Sequence, residues 1–201
     1  MNESVDSTKK EGFFKSYLSC FRMKTKDIAA NAIIAALYVA LTYAFSFLSY
    51  GPFQCRISEF LMVLCFFNPN YAIGLTIGCA LSNIYSITSG LLGPFDILFG
   101  SLATLSACLL MPMVRSFFFS TLIPCLTNGI ILSLEFTFLL GLDATSGLST
   151  GIYFLVQFGW IFLGEFIAIS IFGYLLFLTL TKKVKGIEKA LNLRLNLSYR
   201  F

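Results

Sequence analysis

Positive charge in this chain is concentrated at its two ends. Residues 1–27 carry Lys9, Lys10, Lys15, Arg22, Lys24 and Lys26, residues 182–201 carry Lys182, Lys183, Lys185, Lys189, Arg194 and Arg200, and only Arg56 and Arg115 lie between them. The 201 residues are 57% hydrophobic and 12% charged, with a mean hydropathy of +0.83, whereas ordinary soluble domains carry roughly 25% charged residues. Such a chain is an all-α integral membrane protein. It divides into a polar and basic segment over 1–27, a membrane domain over 28–181 and a basic tail over 182–201. At about 20 residues per spanning helix, the middle segment holds five or six passes and no soluble catalytic domain.

Basic residues near span ends stay on the cytoplasmic side, and both ends of this chain are basic. Both termini are therefore expected in the cytoplasm, which requires an even number of passes, hence six. Breaks in the apolar sequence set their bounds: 28–49, ended by Tyr50-Gly51-Pro52; a short pass over 56–67; then 71–87, 95–114, 117–140 and 152–181. Arg115 falls on the inner side in this scheme, and the loop 141–150 holds Asp143 with no basic residue, as an outer loop should. Phe13, Phe14, Tyr17, Leu18 and Phe21 recur at helical spacing among basic residues, the pattern of a short helix at the inner membrane surface.

Several chemistries are excluded or disfavoured. There is no histidine, which removes the usual ligand of haem and most zinc sites and the usual acid/base group. Cys20, Cys55, Cys65, Cys79, Cys108 and Cys125 are scattered without a CxxC pair and read as small packing residues. No GxxxxGK loop is present, so a nucleoside triphosphate could act only through a partner. No internal repeat of the kind seen in secondary transporters is visible. The expectation is a transport subunit rather than an enzyme, with no cofactor, no metal and no nucleic-acid partner.

The acids run opposite to the bases: Glu59, Asp96, Glu135, Asp143 and Glu165 all lie in the middle segment. An acid at the centre of a spanning helix costs on the order of 3 kcal/mol unless it faces protein or water. By helical rise, Glu165 lies roughly 20 Å and Glu135 about 8 Å below the outer ends of their passes. Asn83, Asp96 and the run Gln54-Cys55-Arg56-Ile57-Ser58-Glu59 fall on the outer half as well. Gln54, Arg56, Glu59, Asn83, Asp96, Glu135 and Glu165 are thus expected to converge on one outward-opening pocket. The alternative is that each polar group ties helices together, with Arg56 neutralising Glu59 on one face, Asp96 capping its helix and Asn83 bonding across a helix pair. In the first pass Ala32, Ala36 and Ala40 repeat every four residues, flanked by Ala29 and Ala44, a small-residue stripe suited either to internal packing or to a partner helix.

At this point a family resemblance enters. The stretches Ala-Ala-Asn-Ala-Ile-Ile-Ala-Ala-Leu-Tyr at 29–38, Gly-Pro-Phe-Gln-Cys-Arg-Ile-Ser-Glu at 51–59, Phe-Asn-Pro at 67–69, Gly-Leu-Thr-Ile-Gly-Cys at 74–79 with Asn83, Gly-Pro-Phe-Asp-Ile-Leu-Phe-Gly-Ser-Leu-Ala-Thr-Leu at 93–105 and Gly-Glu-Phe at 164–166 resemble the QueT-like queuosine-precursor transporter family. These are substrate-binding S components of energy-coupling factor (ECF) transporters. The resemblance covers residues 28–175, and its most specific runs are 56–59 and 96–104; Cys55 and Phe60 depart from the Phe and Ala expected there. It implies a six-helix S component in the bacterial cytoplasmic membrane that captures its ligand from outside and docks on an EcfT-like membrane coupling subunit carrying two ATPases. Ala32, Ala36 and Ala40 become the docking face and the loop 50–55 a gate.

The implied ligand is a deazaguanine, with the aminomethyl form favoured. Its guanine-like edge presents a ring N–H beside an exocyclic amine, a donor pair that one carboxylate accepts in bidentate fashion. Glu59 or Glu165 would fill that role, and Asp96 or Glu135 would meet the cation of the aminomethyl form. Arg56, Gln54, Gln157 and Asn83 would donate to the keto oxygen or hold the acids, and Phe53, Tyr85 and Trp160 are candidates to stack on the ring. A stand-alone proton-coupled carrier using Glu135 or Glu165, and an S component for another vitamin, remain the competing expectations.

Overall fold

The computed structural model of the chain describes residues 17–19, 23–49, 55–88, 94–139 and 147–183. Among them every regular element is helical: α1 Thr25–Ala44, α2 Ser46–Ser49, a 3-10 turn Ile57–Met62 running into α3 Val63–Phe67, α4 Ala72–Thr88, α5 Phe95–Leu110, α6 Phe117–Leu134, α7 Thr150–Glu165 and α8 Tyr174–Lys183. Two π-helical stretches extend this set, Glu135–Leu139 at the end of α6 and Phe166–Gly173 between α7 and α8. Four continuous helices are long and apolar enough to cross a bilayer: Thr25–Ala44, Phe95–Met113, Phe117–Leu139 and Thr150–Leu180. The apolar helix Ile57–Phe67 and the 17-residue α4 are shorter.

α1 begins where the sequence supplies its own cap. Asp27, in the first turn, accepts the Lys24 backbone N–H at 2.9 Å, satisfying one of the donors a helix N-terminus leaves open. Its bundle face is Asp27, Asn31, Ile34, Ala35, Tyr38 and Thr42, at the three-and-four spacing of one helical stripe. α4 packs along this face at glycines: a Cβ on Gly74 would stand 2.5 Å from the Asn31 carbonyl oxygen, and one on Gly78 would stand 2.9 Å from the Tyr38 Cβ. Closeness also lets Asn31 Oδ1 accept the Gly74 N–H at 2.7 Å. The first pass is not continuous to residue 49, because the chain turns at Phe45 before α2.

The segment Ile57–Phe67 is sunk into the middle of the bundle. All seven residues from Leu61 to Phe67 are buried, the condition of a helix apolar on every side. α3 ends at Asn68, whose Oδ1 accepts the Asn70 N–H at 3.2 Å, and Pro69 starts the next turn. Around it, α4 packs on α1 and α5, and α6 packs on α5 and α7. An aromatic cluster closes one end: Phe67 stacks on Phe177 at 4.6 Å, and Phe117 meets Phe66 and Tyr174 at 5.2 and 5.1 Å. On the outside, Ile33, Phe47, Phe119, Phe138 and Leu155 are among many large apolar residues left exposed. An apolar exterior around a core that holds acids is the arrangement of a multi-pass membrane protein.

The cysteines are packing residues: the five described ones are unbridged, and Cys65, Cys79, Cys108 and Cys125 are buried. Of the expected surface helix near the N-terminus, residues 17–19 are described. Leu18 is exposed, but Tyr17 is buried and donates its hydroxyl to the Leu109 carbonyl at 3.0 Å, so it rests on protein at the end of α5. Phe13, Phe14 and Phe21, most of the two basic ends and Asp143 lie outside the described residues.

Candidate functional site

The buried acids of the middle segment meet between the helices. Glu59 comes from the turn before α3, Asp96 from the first turn of α5, Glu135 from the π-helical end of α6 and Glu165 from the last residue of α7. All four carboxylates are at most 1% exposed, with Arg56 beside them at 2%. Four acids share one interior with a single guanidinium, an arrangement that costs free energy unless each charge finds a partner.

The partners differ from group to group. Arg56 donates an Nη2 hydrogen to Asp96 Oδ2 at 3.1 Å, so its ion-pair partner is forty residues away, not Glu59 three residues on. A second Arg56 nitrogen reaches the Cys79 sulfur at 3.7 Å. Asn83 donates to the Asp96 backbone carbonyl at 2.8 Å, joining α4 to α5. Asp96 does not cap its helix with its side chain. Gly100 makes room for this corner, since a Cβ there would lie 2.7 Å from Asn83 Nδ2 and 3.7 Å from Arg56 Nη1.

Glu59 and Glu165 are joined by an amide. The Asn128 Nδ2 donates to Glu59 Oε2 at 3.0 Å and to Glu165 Oε1 at 2.7 Å, which uses both of its hydrogens. The other Glu59 oxygen accepts the Tyr38 hydroxyl at 2.8 Å. Thr42 and Ser58 lie hydroxyl to hydroxyl at 2.7 Å beside this set, pinning α1 to the turn that carries Glu59.

What stays unsatisfied is mostly acceptor. Both Glu135 oxygens, Glu165 Oε2, Asp96 Oδ1 and Asn128 Oδ1 are buried without a hydrogen-bond partner. Native interiors leave few such atoms, and each calls for an explanation, a bound water, ion or ligand among them. Glu135 belongs to the same electrostatic neighbourhood, since Asp96 and Arg56 are the charges that act on it. π-helical stretches are frequent at functional positions; one begins at Glu135 and another directly after Glu165.

Of the residues singled out from the sequence, Arg56, Glu59, Asn83, Asp96, Glu135 and Glu165 come together in this interior. Gln157 is half-buried one turn from Tyr153 and donates to its hydroxyl at 2.8 Å; it shares the face of Glu165 two turns away. Gln54, Phe53 and the gate loop through Gln54 lie outside the described residues. Tyr85 is exposed and packs on Tyr43 at 4.6 Å, and Trp160 is exposed on the rim of an apolar groove. Ala32, Ala36 and Ala40 are exposed on the face of α1 opposite the bundle, so internal packing within the described bundle does not account for the stripe.

Neither of two lateral cavities is lined by the acids. One, of about 840 Å³, runs between Leu41, Phe45, Ile57 and Phe60 and the Trp160, Leu163 and Phe172 side. The other, of about 460 Å³, lies between α4 and α5. The first touches Cys55 and Gly164, the chain neighbours of Arg56 and Glu165, and Cys55 Sγ reaches the Gly164 carbonyl at 3.5 Å. With at most 1% of each exposed, the acids are enclosed in this conformation. Among the described residues no group of three or more His, Cys, Asp or Glu is placed to hold a metal ion.

Sequence reasoning missed Tyr38, Asn128 and Gly100. The signal for Asn128 was present, an amide deep in an apolar helix with an acid seven residues on. Tyr38 and Gly100 carry no such mark, because a tyrosine and a glycine are ordinary in a membrane helix.

No solved structure matches the chain. A relative from Lactococcus lactis subsp. cremoris (strain MG1363), described as "Queuosine precursor transporter QueT", is 48% identical over 86 residues. That match covers 42% of this chain and 48% of the relative, so the chain spans about half the length of the curated relative it matches. The family described as QueT transporter matches residues 28–182, the whole membrane domain and every buried acid above. The chain belongs to the QueT transporter family.

Proposed function

We propose that this chain is the substrate-binding S component of an ECF-type importer, taking up a queuosine precursor, a deazaguanine in its aminomethyl form. The observation that carries the reading is the Glu59–Asn128–Glu165 bridge. An amide NH₂ held between two carboxylates is the protein's own version of the donor pair on a guanine-like edge. A ligand edge with a ring N–H beside an exocyclic amine would replace Asn128 on one or both acids. Asn128 Oδ1 and Glu165 Oε2 would accept what remains. Arg56 and Asn83, already turned toward Asp96, are the donors nearest to meet a keto oxygen.

Six passes fit the helices described: Thr25–Ala44, Ile57–Phe67, Ala72–Thr88, Phe95–Met113, Phe117–Leu139 and Thr150–Leu180, the last continuing to Lys183. With an even count and basic ends, both termini face the cytoplasm. The exposed stripe of Ala32, Ala36 and Ala40 is the surface on which an EcfT-like coupling subunit would seat, small residues allowing close approach of a helix. Two partner ATPases would then supply the energy, since this chain has no phosphate-binding loop.

The test is calorimetry on the purified chain in detergent with aminomethyl-deazaguanine, against riboflavin, thiamine and guanine, and with Glu59→Gln and Glu165→Gln. Selective binding weakened at least tenfold in either variant supports the reading. Absence of deazaguanine binding by folded protein overturns it. Uptake by membranes lacking any ATPase, abolished by a protonophore, would instead select a proton-coupled carrier.

A further inference from the structure

Of the four buried acids of the middle segment, Glu135 is the one left without any hydrogen-bond partner among the described residues. Asp96 has Arg56, Glu59 has Tyr38 and Asn128, and Glu165 has Asn128. Both Glu135 oxygens are buried and have no hydrogen-bond partner, and the residue itself is 0% exposed. An isolated carboxylate in such surroundings is costly, and burying it against a bound cation relieves that cost at the moment of binding.

Position supports the same conclusion. Glu135 follows Asn128 by seven residues on one continuous helix, about 10 Å along its axis. The Asn128 bridge and the unmatched carboxylate therefore form two ends of one interior, separated by a span comparable to a fused bicyclic ring with one short substituent. Asp96, whose charge acts on Glu135, likewise keeps one oxygen, Oδ1, buried without a hydrogen-bond partner among the described residues. Apart from the acids, the charge that acts on Glu135 is the Arg56 guanidinium, which is already engaged by Asp96.

We infer that Glu135 is the specificity-determining counter-ion for a ligand ammonium group, selecting the aminomethyl deazaguanine over its uncharged nitrile counterpart. This rests on the proposed reading of the ligand as a deazaguanine and assigns the acid that the sequence left open between Asp96 and Glu135. The neutral ring edge is read at the Asn128 end and the cation at the Glu135 end. A nitrile has no donor to offer, so it leaves Glu135 as it was.

The experiment compares binding of the aminomethyl and nitrile forms to the wild-type chain and to Glu135→Gln in detergent. Hydrogen bonds to charged groups predict a wild-type preference for the amine of about 10- to 100-fold. In Glu135→Gln that preference should fall below about threefold, through loss of amine affinity with the nitrile affinity unchanged. A purely structural role for Glu135 would move both affinities together. Glu135→Asp, which keeps the charge but withdraws it by one methylene, should lie between the two.

A folded Glu135→Gln that retains the wild-type preference overturns the inference. So does a wild-type protein that binds both forms equally or favours the nitrile, a result that leaves the deazaguanine reading intact and decides the matter even if the variant does not fold. Binding of neither form by folded wild-type protein refutes the deazaguanine reading itself, and the inference with it.

Discussion

Asn128→Leu removes the bridge while keeping the number and branching of the side-chain heavy atoms. Interhelical hydrogen bonds in membranes average about 0.6 kcal/mol and reach about 1.7, and bonds to carboxylates fall at the upper end because the acceptor is charged. Two such bonds, at 3.0 and 2.7 Å and fully buried, are together worth about 3 kcal/mol. Loss of the amide also leaves Glu59 and Glu165 facing each other with no donor between them. For a chain of this size that corresponds to a fall in Tm of about 6–12 °C, read by thermal melting in detergent. A double-mutant cycle with Glu165→Gln separates the bridge from general disturbance of α6 and should give a coupling of at least about 1 kcal/mol. A coupling near zero, or a variant that melts with the wild type, would refute the assignment of Asn128 as the link between the two acids.

Gly74→Ala forces a Cβ to within 2.5 Å of the Asn31 carbonyl, so α1 and α4 must part; overpacking of this kind costs about 1–3 kcal/mol, visible as a lower Tm, and an unchanged Tm would refute the close approach. Asp96→Asn leaves a buried guanidinium short of its ion partner and should cost about 3–5 kcal/mol, whereas Arg56→Met combined with Asp96→Leu should cost less than either single change; additive losses in melting would contradict the pairing. Ala36→Trp, on an exposed face, should alter stability by no more than about 0.5 kcal/mol and leave ligand binding intact while abolishing uptake by cells holding the partner subunits. Equal loss of binding and uptake would remove the docking role from that face.

The membrane setting, the all-helical character and most of the polar residues that lie inside were legible from the chain alone. Hydropathy, charge placement and the cost of a buried acid act locally, so a run of apolar residues or an isolated Glu165 announces its environment without reference to any other part of the chain. The breaks were nearly as clear: Asn68-Pro69-Asn70 and Pro94 end or start helices through backbone chemistry of their own. The pairing was not legible. Arg56 and Glu59 sit three residues apart, yet the rotation of α5 against α4, made possible by Gly100, brings Asp96 to the guanidinium, and Asn128 on α6 takes the two glutamates instead. The alanine stripe looks the same in sequence whether it packs inward or outward, and it is the buried face of Asn31, Tyr38 and Thr42 that turns it out. Helix rotation and depth arise from the packing of whole surfaces, a sum over many weak contacts that no single residue encodes. That is why the sequence determined which groups are buried, and only the tertiary structure decided that Glu59, Asp96 and Glu165 find partners while Glu135 has no hydrogen-bond partner among the described residues.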